Sequence, residues 1–182
     1  TQNVIIEGEI DTSTVGTYIL NYFVEDSSGN IASTSREIIV QEVEYLVYFE
    51  NGTCKCPNAT VGETATISGT TYTVVDNSTI QGEVNNGNVN LCTTLVTDMS
   101  LLFSEKSNFN QDLSFWDTSN TQSMFATFAN ASSFNQDIGN WNTSNVTTTR
   151  SMFFGASSFN KDIGNWNVAS VETMYQMFKG AS

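Results

Sequence analysis

The chain has 182 residues, 39% hydrophobic and 12% aromatic, enough apolar side chain to build a core and too much for a disordered polymer. Its 19 acidic against 6 basic residues give a net charge of −13, a field that repels phosphate backbones and anionic membranes, so no nucleic-acid partner is expected. Histidine is absent, which removes every His-dependent nucleophile or base, and no run approaches the roughly 18 apolar residues of a membrane span, so no transmembrane segment is expected.

Residues 1–41 read as β-structure. Tyr18–Glu25 and Ile31–Val40 are rich in β-branched and aromatic residues, and Asp26-Ser-Ser-Gly-Asn30 between them has the chemistry of a hairpin turn. With Val15-Gly-Thr-Tyr18 leading into Tyr22, this segment resembles the final strands of bacterial immunoglobulin-like domains that stand in tandem on cell-surface proteins. The resemblance implies that 1–41 is the C-terminal part of such a domain, its other strands preceding Thr1. The chain starts without Met or a leader and stops at Ser182 inside a repeat, which reads as a piece cut from a longer protein.

Residues 42–95 read as a β-rich linker and N-terminal cap. Thr64–Ile67 and Thr71–Val75 flank Ser68-Gly69-Thr70, a second hairpin signal; Asn77-Ser-Thr79 before Ile80 predicts a helix start, and Asn86-Gly87 a turn. The three cysteines, Cys54, Cys56 and Cys92, allow one bridge with one thiol left over. A bridge from either Cys54 or Cys56 to Cys92 would staple the cap, and three free thiols is the other outcome. A metal site would need a fourth ligand and is not expected.

From 96 to 182 one phrase recurs every 25 residues: Phe109-Asn-Gln-Asp-Leu-Ser-Phe-Trp116, Phe134-Asn-Gln-Asp-Ile-Gly-Asn-Trp141 and Phe159-Asn-Lys-Asp-Ile-Gly-Asn-Trp166. Tandem arrays of this period build solenoids. Upstream of each phrase, apolar residues recur at i, i+3, i+4 and i+7, as at Met124, Thr127, Phe128 and Ala131, which predicts a short helix per repeat. Thr97, Asn120 or Thr121, Thr147 and Ser170 stand where its N-cap would fall. Leu113, Ile138 and Ile163 would point inward from a very short strand, successive strands pairing about 4.8 Å apart. The expected fold is therefore an α/β solenoid, leucine-rich-repeat-like, with one short strand and one short helix per turn, preceded by an all-β immunoglobulin-like segment.

The Phe-Asn-Gln-Asp-Ile-x-x-Trp phrase, with the Met-x-x-Met-Phe-x-x-Ala run, resembles the repeats of mycoplasma surface lipoproteins and of bacterial BspA-like leucine-rich-repeat proteins. Thr149 in a Met slot, Lys106 in an Ala slot, Leu113 for Ile and Val168-Ala-Ser170 for Thr-Ser-Asn depart from the pattern. The resemblance implies an extracellular protein, secreted or on the cell surface, in adhesion or host and matrix contact.

The residues themselves support no catalysis and no cofactor, so no enzyme is expected. Asp112, Asp137 and Asp162 recur with the repeat, where stacked carboxylates about 5 Å apart repel by roughly 1 kcal/mol in water, so each is expected to accept backbone N–H groups in its own turn. A row of Ca²⁺ sites on them is the functional alternative. The recurring Phe109, Phe134 and Phe159 and Trp116, Trp141 and Trp166 read as packing columns, an exposed indole strip for sugar rings being the alternative. Asn110, Asn135 and Asn160 read as a polar ladder, and positions 115/140/165 and 117/142/167 as exposed. Three roles follow: an adhesion or protein-binding scaffold whose partner is a protein or glycan on another cell or matrix, a carbohydrate- or calcium-binding lectin-like module, and a surface-layer spacer.

Overall fold

A computed structural model describes residues 3–41 and 45–181. The chain divides into two compact units, Thr1–Tyr45 and Leu46–Ser182. The expected boundary between 41 and 42 borders residues 42–44, which lie outside the described residues.

The first unit is an antiparallel sheet of β1 (Val4–Glu7), β2 (Gly16–Glu25) and β3 (Ile31–Val40), in the order β1-β2-β3. The β2–β3 hairpin closes where the turn residues stand. Asp26 accepts the N–H groups of Ser28 and Asn30 and the side-chain amide of Asn30, and Gly29 takes the left-handed conformation at φ 84°. Val4, Ile5, Ile6, Ile19, Ile31 and Ile39 all remain exposed, so this sheet holds no closed core among the described residues.

The second unit opens with β4 (Tyr48–Glu50) and β5 (Thr53–Lys55), joined through Asn51-Gly52 with both residues at positive φ. β6 (Thr64–Ile67) and β7 (Thr70–Val74) follow, joined through Ser68-Gly69 in the same left-handed pair of conformations, and β8 (Leu91–Cys92) adds to β7 in parallel. Between them α1 (Ile80–Asn85) starts after Asp76, whose carboxylate accepts the N–H groups of Ser78 and Thr79. Ile80 and Val84 of α1 and Leu91 of β8 bury into the same core as Met99, Phe103 and Trp116 of the first repeat. That core runs on through Phe128, Trp141, Phe153 and Trp166 to Met177.

The α/β solenoid with a helix and a strand in each turn does not form. The described residues hold eight strands, all before residue 93, and one helix of six residues, so the regular structure is almost wholly β and the repeats contain neither predicted element. Where the helices were expected, Leu101 and Glu105, Ala126 and Asn130, Ser151 and Gly155, and Gln176 and Gly180 take positive φ, which no right-handed helix admits. The amides that a helix would bond four residues back go elsewhere. Met99, Leu101, Phe103 and Glu105 donate to the carbonyls of Ser123, Phe125, Thr127 and Ala129 at 2.8–3.0 Å, while Leu102, Ser104 and Lys106 close turns three residues back. The next two repeats follow the same scheme, Phe128 donating to Met152 and Phe153 to Met177, each at 2.9 Å.

Leu113 and Ile138 are buried as expected, but no strand carries them. The parallel bridges join Asp98, Ser123, Thr148 and Thr173 instead, beside the positions read as helix caps. Tight turns in 25-residue register are what the repeats build. The apolar rings stack on that register: Phe103, Phe128, Phe153 and Phe178 lie 5.2, 5.7 and 5.7 Å apart within 8° of parallel, and Phe134 stacks on Phe159 at 5.8 Å.

Candidate binding groove

Each recurring phrase makes an Asx turn. Asp112 accepts the N–H of Ser114 at 2.8 Å, Asp137 that of Gly139 at 3.0 Å, and Asp162 that of Gly164 at 2.8 Å, each through one carboxylate oxygen. The register brings the three turns side by side, and a groove of about 620 Å³ opens along them. Asp112, Asp137 and Asp162 line it with Gln136, Asn140, Lys161 and Asn165. Gly139 lets the neighbouring turn approach, since a Cβ there would stand 2.6 Å from the carbonyl oxygen of Asp162. The Asn column ties the turns together: the N–H of Asn135 donates to Asn110 Oδ1 at 2.9 Å, and that of Asn160 to Asn135 Oδ1 at 3.0 Å. All three aspartates are exposed, and no group of three or more acidic or cysteine side chains among the described residues is placed to hold a metal ion.

Trp116, Trp141 and Trp166 are buried, so an exposed indole strip for sugars does not exist here. Each indole N–H instead reaches a backbone carbonyl upstream, of Val89, Leu113 and Ile138, at 2.9–3.1 Å. Phe109, Phe134 and Phe159 complete the ring column, Phe134 packing 3.9 Å from Phe128. Thr118 and Thr143 donate to the carbonyls of Asn142 and Asn167 at 3.0 Å, which commits their hydroxyls to holding the turns together.

Two positions read as exposed are not. Phe115 sits half-buried against Tyr72, ring centres 5.7 Å apart, and Asp117 is 2% exposed. Both face residues 46–95, whereas Asn140, Asn165, Asn142 and Asn167 at the equivalent sites are exposed. Asp117 is an aspartate because of what it meets there: Lys55 Nζ at 3.0 Å, the Thr94 hydroxyl at 2.8 Å and the Ser119 N–H at 3.1 Å. Burial pushes its carboxyl up, but the hydrogen bonds from Ser119, Thr94 and Lys55 outweigh it and hold the group below the usual carboxylate range.

A folded-state pKa lower than the unfolded one contributes stability that is present above the unfolded value near 4 and is lost as pH falls through the folded value. Asp117→Ala is expected to destabilise the second unit by about 2–4 kcal/mol at pH 7, because it strands Lys55 and Thr94. The ion-pair part of that deficit should shrink below pH 4, as urea midpoints measured from pH 7 to pH 3 will show.

Of the two pairings left open, Cys56 is bonded to Cys92, Cα atoms 6.2 Å apart, and Cys54 is a buried free thiol. Burial, and secondarily the charge of Asp117, pushes that thiol up to about 12. Sequence reasoning singled out the aspartates of the groove and missed Gln136 and Lys161, although both stand in the same recurring phrase and their register position was the signal that could have found them.

Residues 72–182 match a family model described as a mycoplasma protein of unknown function, DUF285. Residues 1–40 match one described as a bacterial surface protein Ig-like domain. No leucine-rich-repeat or BspA family model matches. No curated protein and no solved structure matches the chain.

Proposed function

The chain belongs to the DUF285 family of mycoplasma proteins of unknown function, and we propose that it is a non-catalytic adhesion or protein-binding scaffold on a bacterial surface. The bacterial surface Ig-like segment supports the location, and no helix of the described residues is long and apolar enough to cross a membrane. The observation that carries the reading is the groove along three repeats, in which carboxylates and amides recur on a hydrogen-bonded framework. Three carboxylates against the single Lys161, on a chain of net charge −13, suit a basic segment of a partner protein on another cell or in the matrix. Repetition along the stack makes weak contacts act together. A glycan, the other partner considered, would have to use the same polar groove, because the indoles are buried.

The test is binding of the immobilised chain to basic matrix proteins at 50 and at 300 mM salt. Binding should weaken with salt, and the triple variant Asp112→Asn, Asp137→Asn, Asp162→Asn should bind about tenfold more weakly, roughly 0.2–1 kcal/mol being lost per exposed pair. Asn can still accept the N–H of its own turn, so the fold should persist. Binding that is equal in the triple variant and indifferent to salt would overturn this reading.

A further inference from the structure

The groove along the aspartates differs at its two ends. In the register column of Gln111, Gln136 and Lys161, the side-chain amide of Gln136 is spent on the preceding turn, donating to the carbonyl and to Oδ1 of Asn110 at 3.0 Å. Lys161 lines the groove, is exposed, and its side chain makes no hydrogen bond or salt bridge among the described residues, so its charge is free to meet a ligand. Asp162 therefore has a cation beside it, whereas Asp112 and Asp137 follow neutral glutamines. The column of Phe115, Asn140 and Asn165 is uneven in the other direction: the two asparagines line the groove, and the first repeat carries a ring. Phe115 follows Ser114, a groove wall to whose carbonyl Asn140 donates at 2.6 Å, and packs against Tyr72 and Phe49, ring centres 5.7 and 6.4 Å away. Phe49 is 38% exposed, so the ring cluster offers apolar surface at the first-repeat end.

We propose that the groove selects the order of side chains in its partner: an extended peptide segment with an aromatic side chain on the Phe49 and Phe115 cluster, basic side chains along Asp112 and Asp137, and a carboxylate on Lys161. This inference rests on the reading of the groove as a site for a basic segment and adds what stands on either side of the cations. Aromatic side chains anchored on apolar surface beside charged contacts are where interfaces concentrate their affinity. The free Lys161 repels a partner that is basic throughout, and a carboxylate there turns that repulsion into attraction, so the two ends together discriminate among basic segments. An extended chain fits the stack: the rings of Phe109, Phe134 and Phe159 lie 6.0 and 5.8 Å apart, close to the roughly 6.6 Å that two strand residues span. Alternate side chains of the segment then meet successive repeats.

The test is calorimetric titration of the full chain at 50 mM salt with three end-capped peptides: Trp-Gly-Lys-Gly-Lys-Gly-Glu, the same residues reordered as Lys-Gly-Trp-Gly-Glu-Gly-Lys, and the first with Gln in place of Glu. The ordered peptide should bind about tenfold more tightly than the reordered one, which has the same composition and charge. Lys161→Gln places there the residue of the other two phrases, and should lower the ratio of Glu-peptide to Gln-peptide affinity about threefold to fivefold. Phe49→Ala should weaken the ordered peptide about fivefold. Ordered and reordered peptides that bind equally, and more weakly at 300 mM salt, would overturn this inference and leave the basic-segment reading standing. An affinity ratio unchanged in Lys161→Gln would overturn it too, and that variant decides if Phe49→Ala fails to fold. No heat with any of the three peptides would overturn both.

Discussion

Replacing Phe128 with Ala is expected to remove about 3–5 kcal/mol from the stability of the second unit, the usual cost of truncating a fully buried aromatic ring. Phe128 has no exposed surface and stands where two ring columns meet, 5.2 Å from Phe103, 5.7 Å from Phe153 and 3.9 Å from Phe134. Stacked rings add to the area term, and the cavity left behind cannot close, because the backbone on both sides is pinned by inter-repeat hydrogen bonds such as Phe128 N–H to Met152 C=O at 2.9 Å. A loss of this size is a large share of the 5–15 kcal/mol that ordinary domains possess. Tyr175→Ala, at an exposed position in the same register run, should stay within about 0.5 kcal/mol. Guanidinium unfolding monitored by tryptophan fluorescence measures both, and near-equal losses would mean that the ring column is not what holds the repeats together.

Cys92→Ala is expected to cost about 3–4 kcal/mol, because the Cys56–Cys92 bond spans 36 residues and its loss returns that loop's conformational freedom to the unfolded chain. The effect should fall on the junction, since Cys56 and Cys92 share a buried cluster with Val47, Ala59 and Val74. Reductant on the unaltered chain should reproduce most of the shift. Cys54 supplies the internal control: a thiol raised to about 12 stays protonated at pH 8 and is buried, so it should resist a thiol reagent until the chain unfolds. Mass mapping that found Cys54 bonded to Cys92, or a reduced chain as stable as the oxidised one, would contradict this expectation.

The repeats show how a correct periodicity can coexist with a wrong backbone. Met99, Leu102 and Phe103 are buried in the i, i+3, i+4 spacing that was read as a helix face. A chain of tight turns with a left-handed residue every fourth position returns the same side of the chain to the core. Periodicity reports which side chains face inward and says nothing of where the amides find acceptors. Here they find them in carbonyls 24 residues downstream, as Leu101 does at Phe125, and a partner at that separation leaves no trace in local spacing.

Hairpins were more legible. Asp26-Ser-Ser-Gly-Asn30 and Ser68-Gly69 encode their turns in their own side chains and backbone freedom, and the structure turns at both. Asn51-Gly52, an equally strong signal, was overlooked because its flanking strands are only three residues each. The aspartate turns of the groove could be anticipated, since an Asx turn needs only residues two apart. That Asp117 leaves the exposed column to pair with Lys55 could not, because its partner lies in another part of the sequence.

By itself, then, the order of residues determined the 25-residue repeat, the inward face of the Met and Phe run in the first three repeats, the two Asp- and Gly-coded turns and the acidic character of the surface. The tertiary structure decided the backbone path within each repeat, the choice of Cys56 over Cys54, the burial of the tryptophans and the pairing of Asp117 with Lys55. The division has one physical cause. Side-chain polarity and turn chemistry act over a few residues, whereas hydrogen-bond partners, disulfide geometry and cavities depend on which distant segments come together.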